Sequence, residues 1–244
     1  MYDLRGRVAI VTGGAVRLGR AMAERLAREG MDVCVHYSSS EAEANATVAE
    51  LQSAGVRATS IQADFRSPSE AAERVVTHAA RSLGRVDVLV NSASIFETGT
   101  LSDTDADSWD RHLDINLKTP ALLCRAFAGR DASRAGRQIV NILDWRAERP
   151  TTGHLAYTVS KSGLASLTRI LAQELAPNVR VNAIAPGAIL PGPGDSAEDF
   201  AAIGRQTPMQ RTGTPDDIAD ALVFLLRSEF VTGEILHVTG GQQL

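Results

Sequence analysis

The sequence is poor in cysteine, with two in 244 residues, and poor in aromatic side chains, at 5%. Two isolated thiols, Cys34 and Cys124, make neither a disulfide framework nor a metal site, and both fall inside predicted elements as buried, reduced side chains. No stretch approaches 18 uncharged apolar residues, which argues against a membrane-spanning helix, and MYDLRGRVAIVTGG has no long apolar segment before its first strand. Neither sign of charge prevails, since 25 basic side chains face 29 acidic ones for a net charge of -4. That mild acidity argues against a nucleic-acid partner. Arg125, Arg130, Arg134 and Arg137 are interleaved with apolar and acidic residues rather than gathered in a block. No internal repeat, low-complexity tract or seam between domains interrupts the chain. The expectation is a soluble, cytoplasmic protein long enough for one large α/β domain.

Strands and helices alternate along the chain. Apolar runs rich in β-branched residues fall at Val8 to Val11, Val33 to Val35, Ala58 to Gln62, Val86 to Val90, Gln138 to Leu143, Val179 to Ala185 and Ile235 to Val238. Between them lie helix-period segments at about 18 to 30, 40 to 53, 68 to 82, 107 to 129, 156 to 175 and 215 to 227. This order predicts parallel strands joined by right-handed crossovers, with helices on both faces of the sheet. Proline and glycine leave PGAILPGPGDSAEDF, 186 to 200, as an irregular loop, and its place near strand ends suits a substrate lid or a plain surface loop.

Chemistry concentrates in DWRAERPTTGHLAYTVSK, Asp144 to Lys161. Tyr157 and Lys161 stand four apart at the start of a helical run, so both side chains share one face. A cation beside a phenol favours the phenolate, and the spacing therefore predicts a Tyr157 acidified by Lys161. Asp144 follows an apolar run and is placed at the C-terminal end of a strand, where open α/β sheets hold their ligands. The plainer role for Asp144 is a turn or helix cap.

The turn TGGAVRLG, Thr12 to Gly19, follows the first strand and opens a helix. Its glycines bring backbone N–H groups to a diphosphate at the helix N-terminus. An NAD site places a carboxylate near the end of the second strand to hold the ribose 2'-hydroxyl. Here that end reads His36, Tyr37, Ser38, Ser39, Ser40, with no carboxylate before Glu41. Hydroxyls, a histidine and the nearby Arg17 suit a 2'-phosphate, so the expected cofactor is NADP(H).

TGGAVRLG, VNSAS (Val90 to Ser94), Asn116, Tyr157-x-x-x-Lys161 and Pro186-Gly187 together resemble, in order and spacing, the short-chain dehydrogenase/reductase family. The resemblance covers essentially the whole chain. It implies a single Rossmann domain over residues 1 to 244, a doubly wound parallel seven-stranded sheet in the order 3-2-1-4-5-6-7, and a homotetramer. Four departures resemble the pteridine reductase branch and its dihydromonapterin reductase relatives: Arg17 in the glycine turn, HYSSS after the second strand, Asp144 at the usual serine, and Ser94 followed by Phe96.

By that resemblance Asp144, Tyr157, Lys161 and Asn116 form the catalytic set, with Asn116 holding a water linked to the lysine. The cofactor is met by Gly13, Arg17, Leu18, Gly19, His36, Tyr37, Ser38, Ser39, Ser40, Asp64, Phe65, Asn91, Ser92, Ala93, Ser94, Tyr157, Lys161, Pro186, Gly187 and Ile189, with Asp64 at the adenine. A pterin-like substrate is met by Arg17, Ser94, Phe96, Asp144, Tyr157 and Leu190, with Phe96 sandwiching the ring against the nicotinamide. Residues 188 to 211 form the lid, and no metal is implied. Two positions depart from the family pattern: Ser92 replaces a commoner asparagine, and Pro191 stands where a threonine is expected.

Chemistry gives Asp144 a purpose in this reading. Reduction of a C=N bond must protonate a ring nitrogen, and a carboxyl group takes and passes a proton far better than a serine hydroxyl. The competing functions are an NADPH-dependent reductase of a 3-oxoacyl thioester or small ketone, and a non-catalytic NADPH-binding sensor. An intact Tyr157 and Lys161 argue against the sensor.

Overall fold

Central strands that are apolar throughout need cover on both faces, and the computed structural model supplies it. It describes residues 3 to 244 other than 132, 193 and 195. The strands are β1 (Val8–Val11), β2 (Asp32–Tyr37), β3 (Ala58–Gln62), β4 (Val88–Asn91), β5 (Arg137–Ile142), β6 (Val179–Pro186) and β7 (Ile235–Val238). All neighbours pair in parallel, in the order β3-β2-β1-β4-β5-β6-β7. The helices are α1 (Arg17–Arg28), α2 (Glu41–Ser53), α3 (Pro68–Leu83), α4 (Ala106–Leu113), α5 (Thr119–Gly129), α6 (Leu155–Glu174), α7 (Ala197–Gln206) and α8 (Pro215–Arg227).

Alternate residues of β1 join opposite cores, as the two-residue period of a strand requires. Ala9 and Val11 belong to the cluster with Met22 and Leu26 of α1 and Ile218 and Leu222 of α8. Val8 and Ile10 belong to the cluster with Val75 and Val76 of α3 and Leu123 and Phe127 of α5. Chain order reverses at β1, whose neighbours are β2 and β4. The loops leaving β1, β4, β5 and β6 therefore converge on one crevice at the carboxyl ends of the strands. Among the described residues no helix is long and apolar enough to cross a membrane.

Two sequence expectations need correction. The helix expected over 107 to 129 is interrupted by a π turn, Asp114–Lys118, between α4 and α5. Pro120 supplies a physical reason, because its ring has no N–H for the carbonyl four residues back and crowds it. The irregular stretch expected from Pro186 to Phe200 is regular at both ends: Pro186 pairs with Val238, and α7 begins at Ala197. Ser196 caps that helix by accepting the Asp199 amide at 3.0 Å, and Glu198 and Asp199 in its first turn favour the helix dipole. Of the lid expected over 188 to 211, residues 193 and 195 lie outside the described residues.

Candidate active site

A crevice of about 490 Å³ opens where these loops meet, lined by the turn after β1, Ser92 to Ser94 and Phe96, Ile142 to Arg146, Tyr157, Lys161, and the segment after β6. The glycine turn is shaped by contact as well as conformation. Gly13 has φ +63°, and a Cβ there would meet the Ala93 backbone at 3.0 Å. A Cβ on Gly19 would overlap the Gly13 carbonyl, so the start of α1 lies directly on the turn. No side chain caps that start, and no acidic residue lies in its first turn. Its N–H groups are thus left for an anion, and this arrangement fits a dinucleotide diphosphate.

The carboxylate of Asp144 is the junction of the site. It accepts the Tyr157 hydroxyl at Oδ2 (3.1 Å) and the Arg146 amide at Oδ1 (2.8 Å), and Arg146 Nη1 lies 3.3 Å from both oxygens. Asp144 therefore does cap a turn, the 3-10 segment Trp145–Ala147, while also reaching the phenol. One side chain thus both caps the turn and holds the phenol.

Lys161 does not bond to the phenol. Its ammonium donates to the Ile142 carbonyl at 2.8 Å and lies 5.7 Å from the Tyr157 ring centre. Burial lowers its pKa to about 8, against an opposing pull from Asp144. The expected acidification of Tyr157 is overturned here: burial first, then the Asp144 charge and hydrogen bond, hold the phenol well above its usual value. The phenol is therefore held in its protonated form.

Phe96 is 37% exposed at the mouth of the crevice. Its ring stacks on His154 (centroids 4.2 Å apart), meets Tyr157 edge-on at 4.7 Å and lies 5.8 Å from the Arg146 guanidinium carbon. It is a wall of the site and not ordinary core. Asn116, on the π turn, accepts from Ser94 Oγ (3.1 Å) and the Ile95 amide (3.0 Å), and donates to the Ile95 carbonyl (3.1 Å) and Ser160 Oγ (3.2 Å). Its amide thus fixes the Ser94–Ile95 segment, and it makes no bond to Lys161.

Several residues expected at the cofactor also have partners within the protein. His36 is buried between Gly13, whose amide its Nδ1 accepts at 3.2 Å, and the Ala63 carbonyl, 2.9 Å from Nε2. Burial lowers its pKa to about 4, so it cannot serve as a cation for a phosphate at neutral pH. Phe65 stacks on that imidazole at 4.0 Å within the core, and Asn91 ties β4 to β5 through Asn141 at 2.8 Å. Asp64 is already paired with Arg66 at 2.7 Å. Tyr37 is half-buried against the core, while Ser38 and Ser39 are exposed and Ser40 precedes α2 without a side-chain cap bond. Arg17 has φ +53° and donates to the Pro191 carbonyl at 2.7 Å, joining the glycine turn to the segment after β6. Leu18, Ser92, Ala93, Pro186, Gly187, Ile189 and Leu190 all line the crevice. So do Phe200 and Ile203, within the 188 to 211 stretch, and Trp145, Arg146 and Gln242, which no sequence motif marks. The spacing of Phe200 and Ile203 after Ser196 was a legible helix signal, whereas nothing local marked Gln242.

The family model described as enoyl-(acyl carrier protein) reductase matches residues 14–243. The short-chain reductase protein NovJ of Streptomyces niveus is 39% identical, covering 96% of this chain and 93% of its own. The chain belongs to the short-chain dehydrogenase/reductase family. Within that family it is similar to the 3-oxoacyl-[acyl-carrier-protein] reductase FabG of Staphylococcus epidermidis, at 32% identity over 97% of this chain and 98% of that protein. Among solved structures it is similar to FolM alternative dihydrofolate reductase 1 from Brucella canis, complexed with NADP. That match has a TM-score of 0.94 and 33% identity, covering 99% of this chain and 95% of that one.

Proposed function

We propose that this oxidoreductase reduces the C=N bond of a pterin, converting a dihydropterin to a tetrahydropterin with NADP(H) as cofactor. The observation that carries the reading is the Tyr157 hydroxyl on the Asp144 carboxylate, at the position where the family commonly has serine. The exposed face of Phe96 beside it and the FolM neighbour add support.

Held by the glycine turn and the start of α1, a bound dinucleotide would supply the hydride for the ring carbon. The adjacent ring nitrogen then becomes strongly basic, so a phenol with a raised pKa still yields its proton. Asp144 accepts the phenol and orients it, and its partly exposed carboxyl group (15%) takes the replacement proton from solvent. Lys161, held by Ile142, keeps a positive charge at the floor of the site. Asn116 keeps the Ser94–Ile95 segment in place under the ring. With His36 neutral and buried, Arg17 and the hydroxyls of Ser38, Ser39 and Ser40 are the groups that would distinguish a 2'-phosphate. The lid over 188 to 211, a homotetramer and a cytoplasmic location belong to the same proposal.

The FabG relative favours a second reading, reduction of a 3-oxoacyl thioester by the same Tyr157 and Lys161. Steady-state NADPH oxidation with dihydrobiopterin, dihydromonapterin and an acetoacetyl thioester separates the two. Turnover of the thioester alone rejects the pterin, and turnover of none favours a non-catalytic sensor.

A further inference from the structure

Arg146 lines the crevice between the two groups assigned to the chemistry and the aromatic wall, yet its guanidinium is poorly matched by the protein. Its contact with Asp144 is 3.3 Å to each oxygen, longer than the roughly 2.7–2.9 Å of a well-formed charge-assisted bond. Its Nε is buried with no hydrogen-bond partner. No acceptor outside Asp144 is bonded to the guanidinium among the described residues. The group is nevertheless held in place, with its central carbon 4.8 Å from the Trp145 ring and 5.8 Å from the Phe96 ring. A fixed guanidinium with spare N–H groups on a cavity wall calls for an acceptor from the ligand.

The placement beside Asp144 narrows what that acceptor is. A substrate nitrogen taking its proton at the Tyr157–Asp144 pair must present its neighbouring ring edge to the next residues on the same turn. In a dihydropterin, the nitrogen of the reducible C=N bond shares an edge with the carbonyl oxygen of the fused pyrimidine ring. We propose that Arg146 is a specificity-determining residue that donates to this ring oxygen, so that the site takes oxo-heterocycles and rejects those with an amino group at the same place. An amino group there would turn N–H toward N–H and leave the guanidinium unsatisfied, and sites built to hydrogen-bond a substrate group discriminate strongly against analogues lacking it. A simple ketone has no second oxygen on this edge and gains nothing from Arg146. The inference rests on the pterin reading above and names what that reading leaves open, the substituent pattern of the ring.

The test compares kcat/KM for NADPH oxidation with a 4-oxo and a 4-amino dihydropteridine, in the wild-type enzyme and in Arg146→Gln and Arg146→Lys. Turnover is the readout because it counts only rings bound with the reacting nitrogen at Tyr157. The wild type is expected to favour the oxo ring by about tenfold or more. Arg146→Gln should bring that ratio below about threefold, mainly through KM for the oxo ring, and Arg146→Lys should restore part of it. NADPH affinity, followed by fluorescence titration, should be unchanged in both variants, which shows that they fold. A wild-type ratio near one, or a ratio unaltered in a variant that binds NADPH, overturns the role of Arg146 while the pterin reading stands. Turnover of an acetoacetyl thioester with neither pteridine turned over overturns both.

Discussion

The imidazole of His36 accepts the amide hydrogen of Gly13 at 3.2 Å, which places its own proton on Nε2, toward the Ala63 carbonyl at 2.9 Å. A second proton would sit on Nδ1 and face the Gly13 N–H directly. The dinucleotide turn is therefore held by a neutral histidine, and its carbonyl also accepts the Gly14 amide at 3.0 Å.

Acid should loosen this arrangement. The folded ring takes its second proton near pH 4, against a usual value of 6.5, because burial disfavours the charge. Between those values the unfolded chain binds more protons, so stability falls as pH drops through that window and levels off below it. The total from this residue is roughly 3 kcal/mol, at about 1.4 kcal/mol per pH unit. Urea unfolding from pH 7 to 4 should show a shallower slope for His36→Gln than for wild type. Parallel slopes would count against a buried neutral imidazole.

How much of this was legible beforehand differs from residue to residue. β3, β7 and α8 match their expected ranges, since apolar period and flanking turn residues act locally. Tyr157 bonds to Asp144 and meets Phe96 edge-on, a pairing that helix spacing and strand ends placed in one neighbourhood. His36 was read as a phosphate ligand because a sequence shows residue type but not burial, and burial makes it a brace for Gly13. Lys161 went the same way: spacing put it beside Tyr157, but the Ile142 carbonyl, nineteen residues earlier, competes for its ammonium. Arg146 was passed over because its importance lies in what it fails to bond.

Removing the carboxylate at 144 tests the proton path. Asp144→Ser should lower kcat for a dihydropterin by about a hundredfold, within the range of general acid–base catalysis, and leave the NADPH dissociation constant within about twofold. Equal losses in both, or in neither, would remove Asp144 from the relay.

Lys161 sets an upper pH limit. Burial brings its pKa to about 8, so the ammonium loses its charge as pH rises through that value, while the phenol, held well above 10, stays protonated. The kcat/KM profile should therefore decline on its alkaline side near pH 8. A plateau reaching pH 10 would show that the lysine charge does not enter the rate.

Phe96 on the crevice wall and Asn116 behind it should separate by what their loss changes. Phe96→Ala is expected to raise the pterin KM by about tenfold with little change in NADPH affinity, as loss of a stacking face does. Asn116→Ala frees the Ser94–Ile95 segment and should destabilise the fold by about 1–3 kcal/mol through the buried groups left without partners. An unaltered KM in the first, or an unaltered melting curve in the second, would reject the assignment.

The π turn at Asp114–Lys118 is also the place where this chain can change in length at least cost to its interior. A π turn winds more residues into each turn than an α turn, so deleting one residue there would let α4 and α5 fuse into an unbroken rod with little change of phase beyond it. Thr119 would keep its bond to the Phe65 carbonyl, and Leu123 and Phe127 would keep facing the interior. The loss would fall on Asn116 and its hold on Ser94, Ile95 and Ser160, so the extra residue serves the crevice and not the scaffold.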